Sequence, residues 1–175
     1  MQADAVARAA RVRLMIFDVD GILTDGGLHY GPDGELFKTF NVLDGHGIKL
    51  LQQSGVATAI ISARKSDIVL KRAGDLGITH VFQGVHDKRT AFEQLLAQTG
   101  TPAEACGFVG DDVIDLPILL RAGFAASVPN AHVEVRQRVH YVTEAAGGKG
   151  AARELCDFIL RAQGNYEAAL APYLT

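Results

Sequence analysis

Residues 13–19 read Arg-Leu-Met-Ile-Phe-Asp-Val, an apolar run without the alternation that a strand with one wet face requires. Such a strand is buried on both faces, which is the property of a parallel sheet covered by helices on each side. The chain repeats the unit. Further apolar runs at Val56–Ser62, His80–Phe82, Gly107–Gly110, Phe124–Val128 and His140–Val142 read as strands. Helical patterns lie between and around them at Gly45–Ser54, Lys65–Leu76, Lys88–Thr99, Ile114–Ala122, Ala131–Val139 and Gly150–Gln163. Strand alternating with helix predicts an α/β fold, a doubly wound, mostly parallel, Rossmann-like sheet.

One segment breaks the alternation. Leu28–Asn41 has two aromatic-bearing arms around Gly31-Pro32-Asp33-Gly34 and reads as a β-hairpin, either a flap or an edge extension. With 175 residues, no repeat and no linker, the chain is expected to be a single domain over 1–175. Its flap spans about 28–41 and its apolar-rich tail about 164–175. Lys and Arg total 17 against 20 Asp and Glu, a net charge of -3, and this balance argues against nucleic acid or an anionic membrane as partner. Cys106 and Cys156 have no metal or CxxC spacing, and the arginine-bearing start has no apolar signal segment. A cytoplasmic protein is expected.

In open α/β sheets, ligands bind beyond the carboxyl ends of the strands. The first strand ends in Asp18-Val19-Asp20-Gly21, and carboxylates at i and i+2 share one side of an extended chain. Their spacing allows two readings: a polar strand end turned to solvent, or a pair drawn together by a cation. The fourth strand ends in Gly110-Asp111-Asp112, with Asp115 three residues on. These acids suit a helix's first turn, and they also suit convergence with the first pair on Mg²⁺, an oxygen-seeking ion. Lys88 opens a helix, where a cation is mildly unfavourable unless an anion such as phosphate lies near. Ser62 closes the second strand, as an N-cap or as a phosphate contact.

Taken in order, Asp18-Val19-Asp20-Gly21, Ser62, Lys88 and Gly110-Asp111-Asp112 resemble the four motifs of the haloacid dehalogenase-like phosphohydrolases. The resemblance runs from Arg13 to roughly Gln163. At finer scale, DVDGILTDG, FNVLDGHGIKLL, GDDVIDLP and AGGKGAARELCDFIL look like the capless branch that acts on phosphorylated sugar acids. Two departures stand out: Ser62-Ala63-Arg64 where the pattern more often has Thr-Gly-Arg, and Lys149 where arginine is commoner.

The resemblance implies a Mg²⁺-dependent phosphatase in which Asp18 is the nucleophile and forms an aspartyl-phosphate. Asp20 would protonate the leaving alkoxide and later deprotonate water, its backbone carbonyl also reaching the metal. Asp111 would complete the metal set, and Ser62 and Lys88 would hold the phosphoryl oxygens. Asp112 and Asp115 would support them, through a metal-bound water or by orienting Lys88. Asp25, Gly26, Arg64, Lys65 and Lys149 are candidates for contact with a small phosphorylated sugar acid. There is no room for a cap domain, so the resemblance also implies a homotetramer in which a neighbour's Gly147–Gly150 loop and tail, Tyr166–Thr175, cover each site. Three rivals remain open from sequence: another nine-carbon sugar-acid phosphatase, a receiver-type signalling domain and a catalytically idle assembly module.

Overall fold

The computed structural model describes residues 2–174; Met1 and Thr175, the ends of the expected domain and tail, lie outside them. Its central strand is β1 (Leu14–Phe17), fully buried. Leu14 and Ile16 join one apolar cluster and Met15 and Phe17 the other, because successive side chains point to opposite faces. Burying those four side chains contributes roughly 6–12 kcal/mol before the entropy of ordering is counted.

Around β1 stand β4 (Ala57–Ile61), β5 (His80–Phe82), β6 (Cys106–Val109), β7 (Phe124–Ser127) and β8 (Tyr141–Val142). They form one sheet in the order β5-β4-β1-β6-β7-β8, every neighbouring pair parallel. On the face of Met15 and Phe17 lie α1 (Gln2–Ala9), α2 (Val42–Gln53), α3 (Asp67–Asp75) and α7 (Ala151–Ala162). On the face of Leu14 and Ile16 lie α4 (Lys88–Thr99), α5 (Leu116–Leu119) and α6 (Val133–Arg136). The sheet is therefore doubly wound, with its order reversing between β1 and β6. A receiver-type domain has the order 2-1-3-4-5 and does not fit this topology.

The expected hairpin is present as β2 (His29–Gly31) and β3 (Gly34–Phe37), an antiparallel pair closed by Pro32-Asp33. It stands apart from the main sheet as a two-stranded flap. Several helices differ from expectation. α2 starts at Val42 because Asn41 caps it, its side chain accepting from Leu43 N–H at 2.8 Å. The expected Ile114–Ala122 helix is a 3-10 turn, Val113–Asp115, followed by the single turn of α5. There Asp115 binds the N–H groups of Asp111 and Asp112 and tightens the turn. The expected Ala131–Val139 helix shrinks to α6, since the chain must reach His140, which pairs with Ala125 on β7. α1 was not expected at all; it buries only Ala5 and Ala9 and is tied down by Arg8, which donates to Gly123 O.

The tail forms α8 (Tyr166–Leu170) and a 3-10 turn. Tyr166 and Ala169 pack on the core, the Arg161 guanidinium lies 3.5 Å from the centre of the Tyr166 ring, and Tyr173 meets His46 edge-on. The described tail thus folds back on α7 and α2 of its own chain. Among the described residues, no helix is long and apolar enough to cross a membrane.

Candidate active site

A cleft of about 230 Å³ opens at the carboxyl ends of β1 and β6, where the sheet order reverses. Asp18, Asp20, Gly26, Ser62, Arg64, Lys88, Asp111 and Asp112 line it, with Leu28, Ala63 and Ile114. Residues from four separate stretches of sequence thus share one wall. Asp115 lies behind it, fully buried, while Asp25, Lys65 and Lys149 stand outside the lining and exposed.

Each side chain is placed by the element that precedes it. Asp18 N–H donates to Val109 O at 3.0 Å, so the ladder between β1 and β6 carries on into the site. Lys88 starts α4 after Asp87, whose side chain caps Arg89 N–H. Its stem runs inward, and its ammonium sits 3.0 Å from Asp18 Oδ1 and 2.5 Å from Asp115 Oδ1. The other oxygen of Asp115 accepts the N–H groups of Asp111 and Asp112 at 3.0 and 3.1 Å. Asp115 is therefore spent: it orients Lys88 and fixes the loop after β6. Asp112 caps Val113 N–H.

The charge balance is unfavourable to anions left by themselves. Burial, then the charge of Asp115, push Asp18 up to about 7 against the pull of Lys88. Burial, then Asp115 and Asp112, push Asp111 up to about 6. Oxygens of Asp18, Asp111 and Asp115 lie within 4.8 Å of one another. With Asp115 committed to Lys88 and the loop, a divalent cation held by Asp18 and Asp111 would reverse both shifts, and such carboxylate oxygens suit Mg²⁺. Gly21 gives Asp111 the space to face the site. Its φ is +88°, and a Cβ there would stand 2.0 Å from Asp111 Oδ2.

The flap closes on the same cleft through residues that sequence reasoning missed. Lys38 Nζ donates to Asp20 Oδ1 at 2.6 Å and lies 2.9 Å from Glu35 Oε1. Burial opposes its charge, but the hydrogen bonds to Asp20 and Glu35 outweigh that and raise its pKa. Ser66 Oγ donates to Glu35 Oε2 at 2.5 Å, and Arg64 donates to the Tyr30 hydroxyl. Arg64 Nε lies 3.5 Å from Asp20 Oδ2, and this buried N–H has no hydrogen-bond partner. In sequence Lys38 stands between Phe37 and Thr39 with Glu35 three residues before it, a local pattern that points to no particular contact.

The Gly147–Gly150 loop, expected at a neighbour's site, is braced on its own chain. Gly148 N–H donates to Ile22 O at 2.9 Å, and a Cβ on Gly147 would stand 1.7 Å from Gly21 O. Lys149 reaches its own Asp25 at 3.7 Å, where both side chains are exposed. Asp25 is held low, first by the Gly27 N–H that its carboxylate accepts. Asp44, an acid without an assigned role, is buried and caps the start of α7, accepting from Arg153 N–H at 2.9 Å.

A haloacid dehalogenase-like hydrolase model matches residues 75–155. A 3-deoxy-D-manno-octulosonate 8-phosphate phosphatase of Yersinia pestis is 45% identical over 166 residues, covering 95% of this chain and 89% of that one. A probable YrbI family phosphatase from Pseudomonas syringae pv. phaseolicola superposes with a TM-score of 0.97 at 51% identity, covering 99% of this chain and 98% of that one. The 3-deoxy-D-manno-octulosonate 8-phosphate phosphatase of Moraxella catarrhalis, solved with magnesium, phosphate and KDO, has a TM-score of 0.96 at 42% identity and covers 99% of both chains.

Proposed function

The chain belongs to the haloacid dehalogenase-like hydrolases, in the branch of the 3-deoxy-D-manno-octulosonate 8-phosphate phosphatases, and on that premise we propose how its cleft works. It is a phosphoric monoester hydrolase that converts 3-deoxy-D-manno-octulosonate 8-phosphate to the free sugar acid and phosphate, a step in lipopolysaccharide biosynthesis. The observation that carries the reading is the meeting of Asp18, Lys88 and Asp111 at the switch point of a sheet matched over nearly its whole length by such phosphatases.

Asp18 attacks phosphorus and the sugar alkoxide leaves, giving an aspartyl-phosphate. Lys88, fixed by Asp115, draws on the phosphoryl oxygens together with Ser62. Asp20 gives a proton to the departing alkoxide and then takes one from the water that attacks phosphorus, regenerating Asp18. Asp18, Asp111 and the backbone carbonyl of Asp20 would hold Mg²⁺. When bound, the ion masks the repulsion between Asp18 and a phosphate dianion. The cations Arg64, Lys65 and Lys149, with Asp25 and Gly26, form the edge that meets the sugar acid.

The chain is one capless domain, and we assign it to the cytoplasm, in keeping with its two free thiols. Leu28, Tyr30, Leu36, Phe37, Val42 and Leu43 are exposed on the flap and the start of α2, which supports assembly into a homotetramer. In that assembly a neighbouring subunit completes each cleft. The test is a panel of sugar-acid phosphates with Mg²⁺. The eight-carbon substrate is expected to give the highest kcat/KM. Preference for a nine-carbon acid would correct the substrate, and failure to turn over any phosphate ester would overturn the reading.

A further inference from the structure

Lys38 is the one lysine or arginine in the flap segment 28–41, and it is turned inward. Its side chain is only 2% exposed, although it comes from a two-stranded hairpin whose apolar residues are largely exposed. Burying a lysine removes its hydration and freezes a long stem, so its gain must come from specific partners. It has two. The ammonium sits between Asp20 Oδ1 at 2.6 Å and Glu35 Oε1 at 2.9 Å. Glu35 is anchored in turn by Ser66 Oγ, and Ser66 N–H donates to Gln83 Oε1 at 2.8 Å. The chain of contacts runs from the cleft, through the flap, to the segments that follow β4 and β5.

We propose that Lys38 is a positioning residue for Asp20: it engages Oδ1 and leaves Oδ2, on the Arg64 side, as the oxygen that exchanges the proton with substrate. This rests on the reading of Asp20 as the general acid and base. Glu35 holds the ammonium from its far side, so Lys38 does not swing into the cleft and compete with Ser62 and Lys88 for phosphate oxygens. The flap thereby becomes part of the proton-transfer geometry as well as a cover. Its closure and the setting of Asp20 are one event.

A double-mutant cycle on the sugar-acid phosphate tests this, measured with the full chain, saturating Mg²⁺ and circular dichroism as a fold check. Lys38→Met should lower kcat by about ten- to hundredfold, the scale of a misplaced catalytic group, with KM changed about twofold or less. In an Asp20→Asn background the same change should cost nothing further, because the group it positions no longer carries a proton. Glu35→Gln, which leaves both Lys38 and Asp20 in place, should show a smaller loss that also vanishes in that background. It serves in place of Lys38→Met if the latter misfolds. Losses that multiply in full would overturn the positioning role while leaving Asp20 as the acid. Wild-type kcat in Asp20→Asn would overturn the acid assignment, and the role of Lys38 with it.

Discussion

Replacing Lys88 by Met removes a charge and little else. The two side chains are similar in length, and the apolar stem still packs near Phe108, whose ring centre lies 5.9 Å from the ammonium. What changes is that Asp18 and Asp115, whose side chains are 8% and 0% exposed, lose the cation at 3.0 and 2.5 Å. Stripping one partner from a buried pair costs about 3–5 kcal/mol. Protonation can relieve that cost, and here it is already close: burial and Asp115 have pushed Asp18 up to about 7 with Lys88 in place. The sign follows from linkage. A carboxyl with a higher pKa folded than unfolded binds protons more tightly when folded, so its penalty is absent below the unfolded value and grows as pH rises through the folded one. Urea unfolding of the chelated protein should therefore show a loss of about 3–5 kcal/mol at pH 8. At pH 5 the loss should be smaller by roughly 1–2 kcal/mol. Equal losses at the two pH values, or none, would refute the view that Lys88 is the counter-ion of this cluster.

Gly21→Ala would set a Cβ 2.0 Å from Asp111 Oδ2 at a φ of +88°. It should cost about 1–2 kcal/mol in stability and weaken Mg²⁺ activation by about tenfold or more, and wild-type activation would contradict the packing. Protons compete with the cation at Asp18 and Asp111, raised to about 7 and about 6, so Mg²⁺ affinity measured by calorimetry should tighten steadily from pH 5 to pH 8. Without metal, the same two groups make stability fall as pH rises from about 4 through about 7. Asp20→Asn should keep the fold and cripple turnover of the sugar ester, with a smaller penalty on a nitrophenyl ester, whose leaving group needs no proton; equal penalties would argue against Asp20 as the acid.

The sheet could be read from the chain because β1 has no polar alternation and the other strands sit between amphipathic stretches. α1 could not, since alanines at 5 and 9 give a weak apolar stripe, and the Arg8 contact to Gly123 is 115 residues away in sequence. In the cleft, Asp18, Ser62, Lys88 and Asp111 could be singled out because strand ends and one helix start bring them to one edge of the sheet. The division of labour among the acids could not. Asp111, Asp112 and Asp115 look alike in sequence, and only the side-chain directions separate a cap at Asp112 from the buried orienter at Asp115. Lys38 and Glu35 were hidden for a related reason: nothing local to a hairpin says which way it folds over a neighbouring loop.

The stereochemical course at phosphorus separates two in-line displacements from one. The sugar acid carrying a chiral, isotopically labelled phosphorothioate at position 8 would be hydrolysed in labelled water and the configuration of the released thiophosphate read. Attack by Asp18 followed by attack of water inverts phosphorus twice, so net retention is expected. Net inversion would mean that water displaces the sugar in a single step, and would contradict an aspartyl-phosphate on Asp18.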